Sequence, residues 1–186
     1  MTKAIAPLAI AIAAIFVAFA ASTSVNADHA LDPAGTEITG CTNSFTEGAS
    51  YFLSEDLIVN PGGICLKITK KNVVLDGNGH SLIGDGTGTG IQIEFANNIT
   101  VKNLTITNFS YGMKVESSAL HSLTNIHVDG NAFGGLRISS IVDTTINSSS
   151  FDHTSSGSGL AFVSGSNTGN QVLNSSVSSN STGGLS

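Results

Sequence analysis

Tryptophan is absent from this 186-residue chain, arginine occurs once, and charged residues of both signs make up only 11%. Helices that lie on a protein surface need long polar side chains on their outer face, and a chain this poor in them is ill suited to a helical fold. Lys and Arg total 7 against 13 acidic residues, so there is no basic footprint for nucleic acid or anionic lipid. Cysteine occurs twice, and no further ligands stand at metal-site spacing, which excludes a structural zinc cluster and leaves one disulfide. What is abundant is glycine (21 residues) together with Ser, Thr and Asn, all residues of turns and β structure. Hydrophobic residues reach 40%, which argues against disorder.

Residues 1–27 read as a secretory signal peptide. Lys3 supplies the positive start, Ala4 to Ala21 is apolar apart from Pro7, and Val25-Asn26-Ala27 offers a small-residue cleavage site. The competing reading is a retained membrane anchor, since the run is about long enough to span a bilayer. Cleavage would leave no membrane span. All 13 acidic residues lie beyond Ala27, so the mature chain would carry a net charge of −7.

A short signature of glycine followed by alternating hydrophobes recurs along the remainder. It reads GIQI at Gly90, GMKV at Gly112, GLRI at Gly135 and GLAF at Gly159, with spacings of 22, 23 and 24 residues. CLKI at Cys65 fits one step earlier. A second signature follows each first one: NITVKNLTI from Asn98, LTNIHV from Leu123, INSSSF from Ile146 and VLNSSV from Val172. Period-two alternation with one apolar face predicts short half-buried strands. A unit this small cannot bury a core alone, so neighbouring units must share one. The predicted inward columns are Ile91/Met113/Leu136/Leu160, Ile93/Val115/Ile138/Phe162, Val101/Leu123/Ile146/Val172 and Ile106/Val128/Phe151/Val177. Asn103, Asn125 and Asn174, with Ser148 in the third copy, fall in one turn column.

This pattern, with NVVLDGNGHSLIG ahead of it, resembles the right-handed parallel β-helix of the pectate-lyase-like superfamily, which includes a family of carbohydrate-binding proteins and sugar hydrolases. The resemblance covers residues 37–186 and implies an all-β solenoid. The expected organisation is a signal peptide (1–27), an N-terminal cap (28–60) and β-helix repeats (61–186). Gly184-Leu185 opens a fifth repeat just before Ser186, so the coils are expected to continue or to end on an exposed edge. Cys41 lies 24 residues before Cys65, one coil away. Adjacent coils are about 4.8 Å apart, within disulfide range, so a Cys41–Cys65 bridge should staple the cap to the first coil.

Activity is less legible than fold. Pectin-cleaving hydrolases of the superfamily carry Gly-His-Gly, paired Asp and Arg-Ile-Lys, whereas this chain has Gly79-His80-Ser81, no adjacent Asp pair, and Arg137-Ile138-Ser139. Asp76-Gly77-Asn78-Gly79 therefore reads as a turn. Lys67, Lys114 and Arg137 fall in one outward column with Gln92 between them, partly neutralised by Glu94 and Glu116. His127 and Asp129 share a strand face, and Asp152 stacks on Asp129 one coil later, with His153 following it. Two carboxylates at coil spacing repel unless a proton or cation lies between them, so this trio is the candidate for acid/base work or for calcium. Asn98, Asn108 and Asn180 are the sequons expected to accept a glycan. The leading functional expectation is a secreted, periplasmic or cell-surface module without catalysis, serving envelope structure, adhesion or glycan contact. Its partners would be polysaccharide or other envelope proteins. A polysaccharide lyase or glycoside hydrolase on an acidic polysaccharide is the alternative, and a periplasmic metal-handling protein the third class.

Overall fold

The computed structural model describes residues 35–60, 62–152 and 157–178, so residues 1–27, expected as a signal peptide, lie outside the described residues. Those residues hold strands and turns only. The first circuits comprise β1 (Thr36–Glu37), β2 (Ser50–Phe52), β3 (Leu57–Ile58) and β4 (Ile64–Ile68), then β5 (Val74–Asp76), β6 (Ser81–Ile83) and β7 (Thr89–Glu94). The central coils are β8 (Thr100–Thr107) with β9 (Tyr111–Ala119), and β10 (Ser122–Asp129) with β11 (Gly134–Val142). The last are β12 (Thr145–Asn147), β13 (Ser150–Phe151) and β14 (Leu160–Phe162), then β15 (Gln171–Leu173) and β16 (Ser176–Val177). Each strand pairs in parallel with its equivalents one coil away. The result is a β-solenoid with an 11-stranded and a 5-stranded sheet, the latter in the order β14-β11-β9-β7-β4.

All four inward columns form in the expected register. Ile91 pairs Met113, Met113 pairs Leu136, and Leu136 pairs Leu160. Val101, Leu123, Ile146 and Val172 align likewise, as do Ile106, Val128, Phe151 and Val177, although Val172, expected inward, is 40% exposed on the last coil described. Ile91, Ile93, Val101, Ile106, Val115, Leu123 and Val128 are fully buried, each contributing about 1.5–3 kcal/mol by leaving water. The columns also extend into the segment expected as a cap. Tyr51 continues the Leu75–Val101 column and Leu57 the Leu82–Ile106 column, so residues 50–58 build a coil of the same type.

The signature glycines mark where coil walls come too close for a side chain. A Cβ on Gly90 would lie 2.6 Å from the Gly112 carbonyl oxygen, and one on Gly112 would overlap Val128 Cγ1.

Corners are made by left-handed residues. Thirteen non-glycine residues among those described have positive φ, and most of them stack. Asn103, Asn125, Ser148 and Asn174 (φ 48–54°) form one column, Phe95, Ser117 and Ser140 (50–56°) a second, and Asn98, Leu120 and Asp143 (54–62°) a third. Asn103, Ser117, Asn125 and Ser140 lie inside strands β8 to β11, so each of these long strands is two straight pieces. A bend takes backbone N–H groups out of the inter-coil ladder, and buried N–H groups must then find another acceptor. Side chains of the next coil supply it. Ile99 N–H donates to His121 Nδ1 (3.2 Å), His121 N–H to Thr144 Oγ1 (3.3 Å) and Thr144 N–H to Asn170 Oδ1 (3.0 Å). Phe109 N–H donates to Asn131 Oδ1 (2.9 Å).

Cys41 and Cys65 are disulfide-bonded with Cα atoms 4.4 Å apart. The bridge is a one-coil staple, since Thr42 pairs Leu66 in parallel beside it.

Candidate functional site

Alternation puts residues 67, 92, 114 and 137 on the outer face of the five-stranded sheet, and the register stacks them as Lys67–Gln92–Lys114–Arg137. Glu94, Glu116 and Ser139 form the parallel outward column. Neutralisation is confined to one end. Lys67 Nζ lies 2.5 Å from Glu94, while the Gln92 amide donates to Glu94 (2.8 Å) and Glu116 (3.2 Å). Among the described residues no carboxylate lies within 4.0 Å of Lys114 or Arg137.

Beside these two cations stand two aromatic rings. Phe133, 53% exposed, sits one coil beyond Tyr111 with centroids 6.0 Å apart and a 44° tilt. Its position is fixed by Phe133 N–H donating to the Ser110 carbonyl (2.8 Å). Lys114 Nζ lies 4.0 Å from the Tyr111 ring centroid, a cation–π contact. Burial lowers the Lys114 pKa; Glu116 opposes that shift and the Arg137 guanidinium adds to it. Arg137 Nε is buried without a hydrogen-bond partner. Two open hollows flank the ring pair. One, of about 390 Å³, is floored by Gln92 and Lys114; the other, of about 300 Å³, by Arg137 and Ala161. Ring faces beside hollows suit sugar rings, and a partly buried cation pair with no carboxylate in ion-pair contact suits carboxylates.

Phe133 escaped the sequence reading, which found aromatics scarce. The signal was present in NAFGG: a large apolar residue in a turn, out of phase with the strand that follows.

The His127, Asp129 and Asp152 trio lies on the other sheet in the expected register, with His127 opposite Ser150 and Val128 opposite Phe151. One polar atom of each side chain is engaged by a neighbour. His127 Nδ1 contacts Ser150 Oγ, Asp129 accepts from Gly130 N–H (2.7 Å), and Asp152 accepts from Ser178 Oγ. Among the described residues no group of three or more His, Cys, Asp or Glu is arranged to hold a metal ion. His153 is outside those residues.

The NVVLDGNGHSLIG stretch is a turn built around Asp76. Its carboxylate accepts from Asn78 N–H (2.8 Å), Asn103 Nδ2 (3.1 Å) and Lys102 Nζ (2.9 Å). Burial alone would raise its pKa, but those donors outweigh it and the pKa is lowered. His80 lies 3.6 Å from Asp56, away from the cationic face. Of the expected glycan acceptors, Asn98 donates its amide to Asn72 Oδ1 (2.9 Å) and Asn108 to the Gly84 carbonyl (2.8 Å), so both serve corners. Asn180 lies outside the described residues.

Residues 31–186 match the family model described as right handed beta helix region. No curated protein matches the sequence. Among solved structures, the A-module of the Azotobacter vinelandii mannuronan C-5 epimerase AlgE6 is similar, at 12% identity and a TM-score of 0.47 over 75% of this chain. The match covers 51% of that module, so this chain spans about half its length. The family match takes in every coil described above: the chain belongs to the right-handed β-helix family.

Proposed function

We propose that this protein is a non-catalytic, exported β-helix module that contacts an acidic polysaccharide through the outer face of its five-stranded sheet. The observation that carries this reading is the Tyr111–Phe133 ring pair beside Lys114 and Arg137, two cations with no carboxylate partner among the described residues. Sugar rings would lie against the aromatic faces while uronate carboxylates meet the two cations. The disulfide supports a location in an oxidising compartment outside the cytoplasm.

Affinity electrophoresis in gels containing polygalacturonate tests the reading, with the fully methyl-esterified polymer as the uncharged control. The expected result is retardation by polygalacturonate alone, reduced at least tenfold in apparent affinity by Lys114→Ala with Arg137→Ala, and also by Phe133→Ala. Equal mobility of wild type and both variants would overturn it.

A second reading, a polysaccharide lyase, draws support from the lowered Lys114 pKa. A lysine held closer to its neutral form can take a proton from a carbon next to a carboxylate, and Arg137 would offset the charge that develops. Ultraviolet absorbance of unsaturated uronate separates the two: it rises with time for a lyase and stays flat for a binding module.

A further inference from the structure

The corner column of the 11-stranded sheet is interrupted at one coil. Asn103 Nδ2 donates to Asp76 (3.1 Å) and Asn125 Nδ2 donates to Asn103 Oδ1 (3.0 Å). The next member is Ser148, whose side chain is too short to continue the series. Its hydroxyl turns to Asn147 Oδ1 (3.4 Å), and Asn174 Nδ2 goes to that same oxygen (3.0 Å). Asn125 Oδ1 therefore receives no donor among the described residues. The backbone does not change with the side chain, since Ser148 keeps the left-handed conformation at φ 50°.

An open hollow of about 670 Å³ lies over this gap. His127, Ser150 and Ser176 line it together with the corner residues, and no Lys, Arg, Asp or Glu does. Ser150 stacks between His127 and Ser176 in register, so polar groups recur at coil spacing along one wall. The lining thus offers a solvent-exposed amide oxygen with no protein donor among the described residues, several hydroxyls and an imidazole, without formal anion or cation side chains. That is the complement of a ligand rich in hydroxyl groups and devoid of charge.

We propose that this gap is a binding site for a neutral saccharide. One sugar hydroxyl donates to Asn125 Oδ1 in place of the missing asparagine amide, and its neighbours meet Ser150, Ser176 and His127. The site is on a different sheet from the aromatic and cationic face, and neither depends on the other.

Titration of the ¹⁵N-labelled protein with cellotriose, followed by amide chemical shifts, tests the assignment. Wild type is expected to show saturable shifts centred on Ser148, Ser150 and Ser176. Ser148→Asn restores the amide series at a backbone conformation that asparagine favours. It should fold, raise the thermal midpoint by about 1–3 °C, and weaken cellotriose binding at least tenfold. Phe133→Ala should leave cellotriose binding unchanged, which separates this site from the acidic-polysaccharide face. The proposal is overturned by the absence of saturable shifts in wild type, by Ser148→Asn binding cellotriose as wild type does, or by loss of that binding in Phe133→Ala.

Discussion

The two sheets of this solenoid follow different rules on their outer surfaces. At the corners of the 11-stranded sheet short polar residues return coil after coil, Asn103, Asn125, Ser148 and Asn174, each bonded to a polar neighbour: Asn103 to Asp76, Asn125 to Asn103, and both Ser148 and Asn174 to Asn147. On the five-stranded sheet each coil presents something different: Lys67, Gln92, Lys114, Arg137, and then Ala161. Repetition is what a stacked backbone demands, because identical corners must be satisfied identically. Departure from repetition has no such structural cause, so in a solenoid the informative positions are those where a column changes character. Both sites proposed above are such positions.

Substitutions in the repeating columns should therefore cost stability, and those on the varied face should not. The largest effect is expected at the signature glycines. Gly112→Val forces a side chain into Val128 and should cost at least about 3 kcal/mol in urea unfolding, at or beyond the upper end for overpacking. Next is the staple. Cys41→Ser with Cys65→Ser releases a 24-residue link and should cost about 3 kcal/mol, read from the unfolding midpoint without reductant. His121 gives a pH-dependent effect of slightly smaller size. Burial lowers its pKa from 6.5 to about 4, so the folded state resists a proton that the unfolded chain accepts. Its contribution is complete above pH 6.5, falls as pH drops from 6.5 to about 4, and amounts to about 2–3 kcal/mol over that window. His121→Asn keeps an acceptor for Ile99 N–H, as Asn131 does for Phe109, and should flatten the stability profile in that range relative to wild type. Asn125→Ala removes one inter-coil bond and should cost about 1 kcal/mol. The smallest effect belongs to Phe133→Ala, within about 0.5 kcal/mol of wild type because the ring is already half in solvent. A large loss there would erase the distinction between the two faces.

The inward columns were legible because alternation of Ile, Val, Leu and Met against polar residues leaves one register that buries them in every coil but the last, where Val172 is 40% exposed. The Asn103–Asn125–Asn174 corner was legible too, since asparagine is a common left-handed residue. The other corners were not. Phe95 and Leu120 adopt φ of 53° and 62° although their side chains disfavour it, and both remain exposed, at 74% and 55%. Stacking imposes their backbone: Leu120 lies above Asn98 and below Asp143, which bend the same way, and no local preference of leucine reports that. At the site, the spacing of Lys67, Lys114 and Arg137 revealed their column, but which cations lacked carboxylates depended on where the Gln92 amide and the Lys67 ammonium turned. For the His127, Asp129 and Asp152 trio the backbone register was readable, while the neighbours their side chains engage were not.

The parallel stacking has a mechanical consequence. Each strand is bonded only to the coils before and after it, and successive coils are joined by one strand-to-strand passage of about two dozen residues. Tension that peels a terminal coil breaks one row of bonds and leaves the remainder whole, so the chain should lengthen in regular increments of roughly 80 Å, the reach of one extended coil. The Cys41–Cys65 bridge withholds one such increment until it is reduced. In a force–extension trace the difference between oxidised and reduced protein would be a single missing step, and the solenoid would behave as a ratcheted tether with one locked tooth.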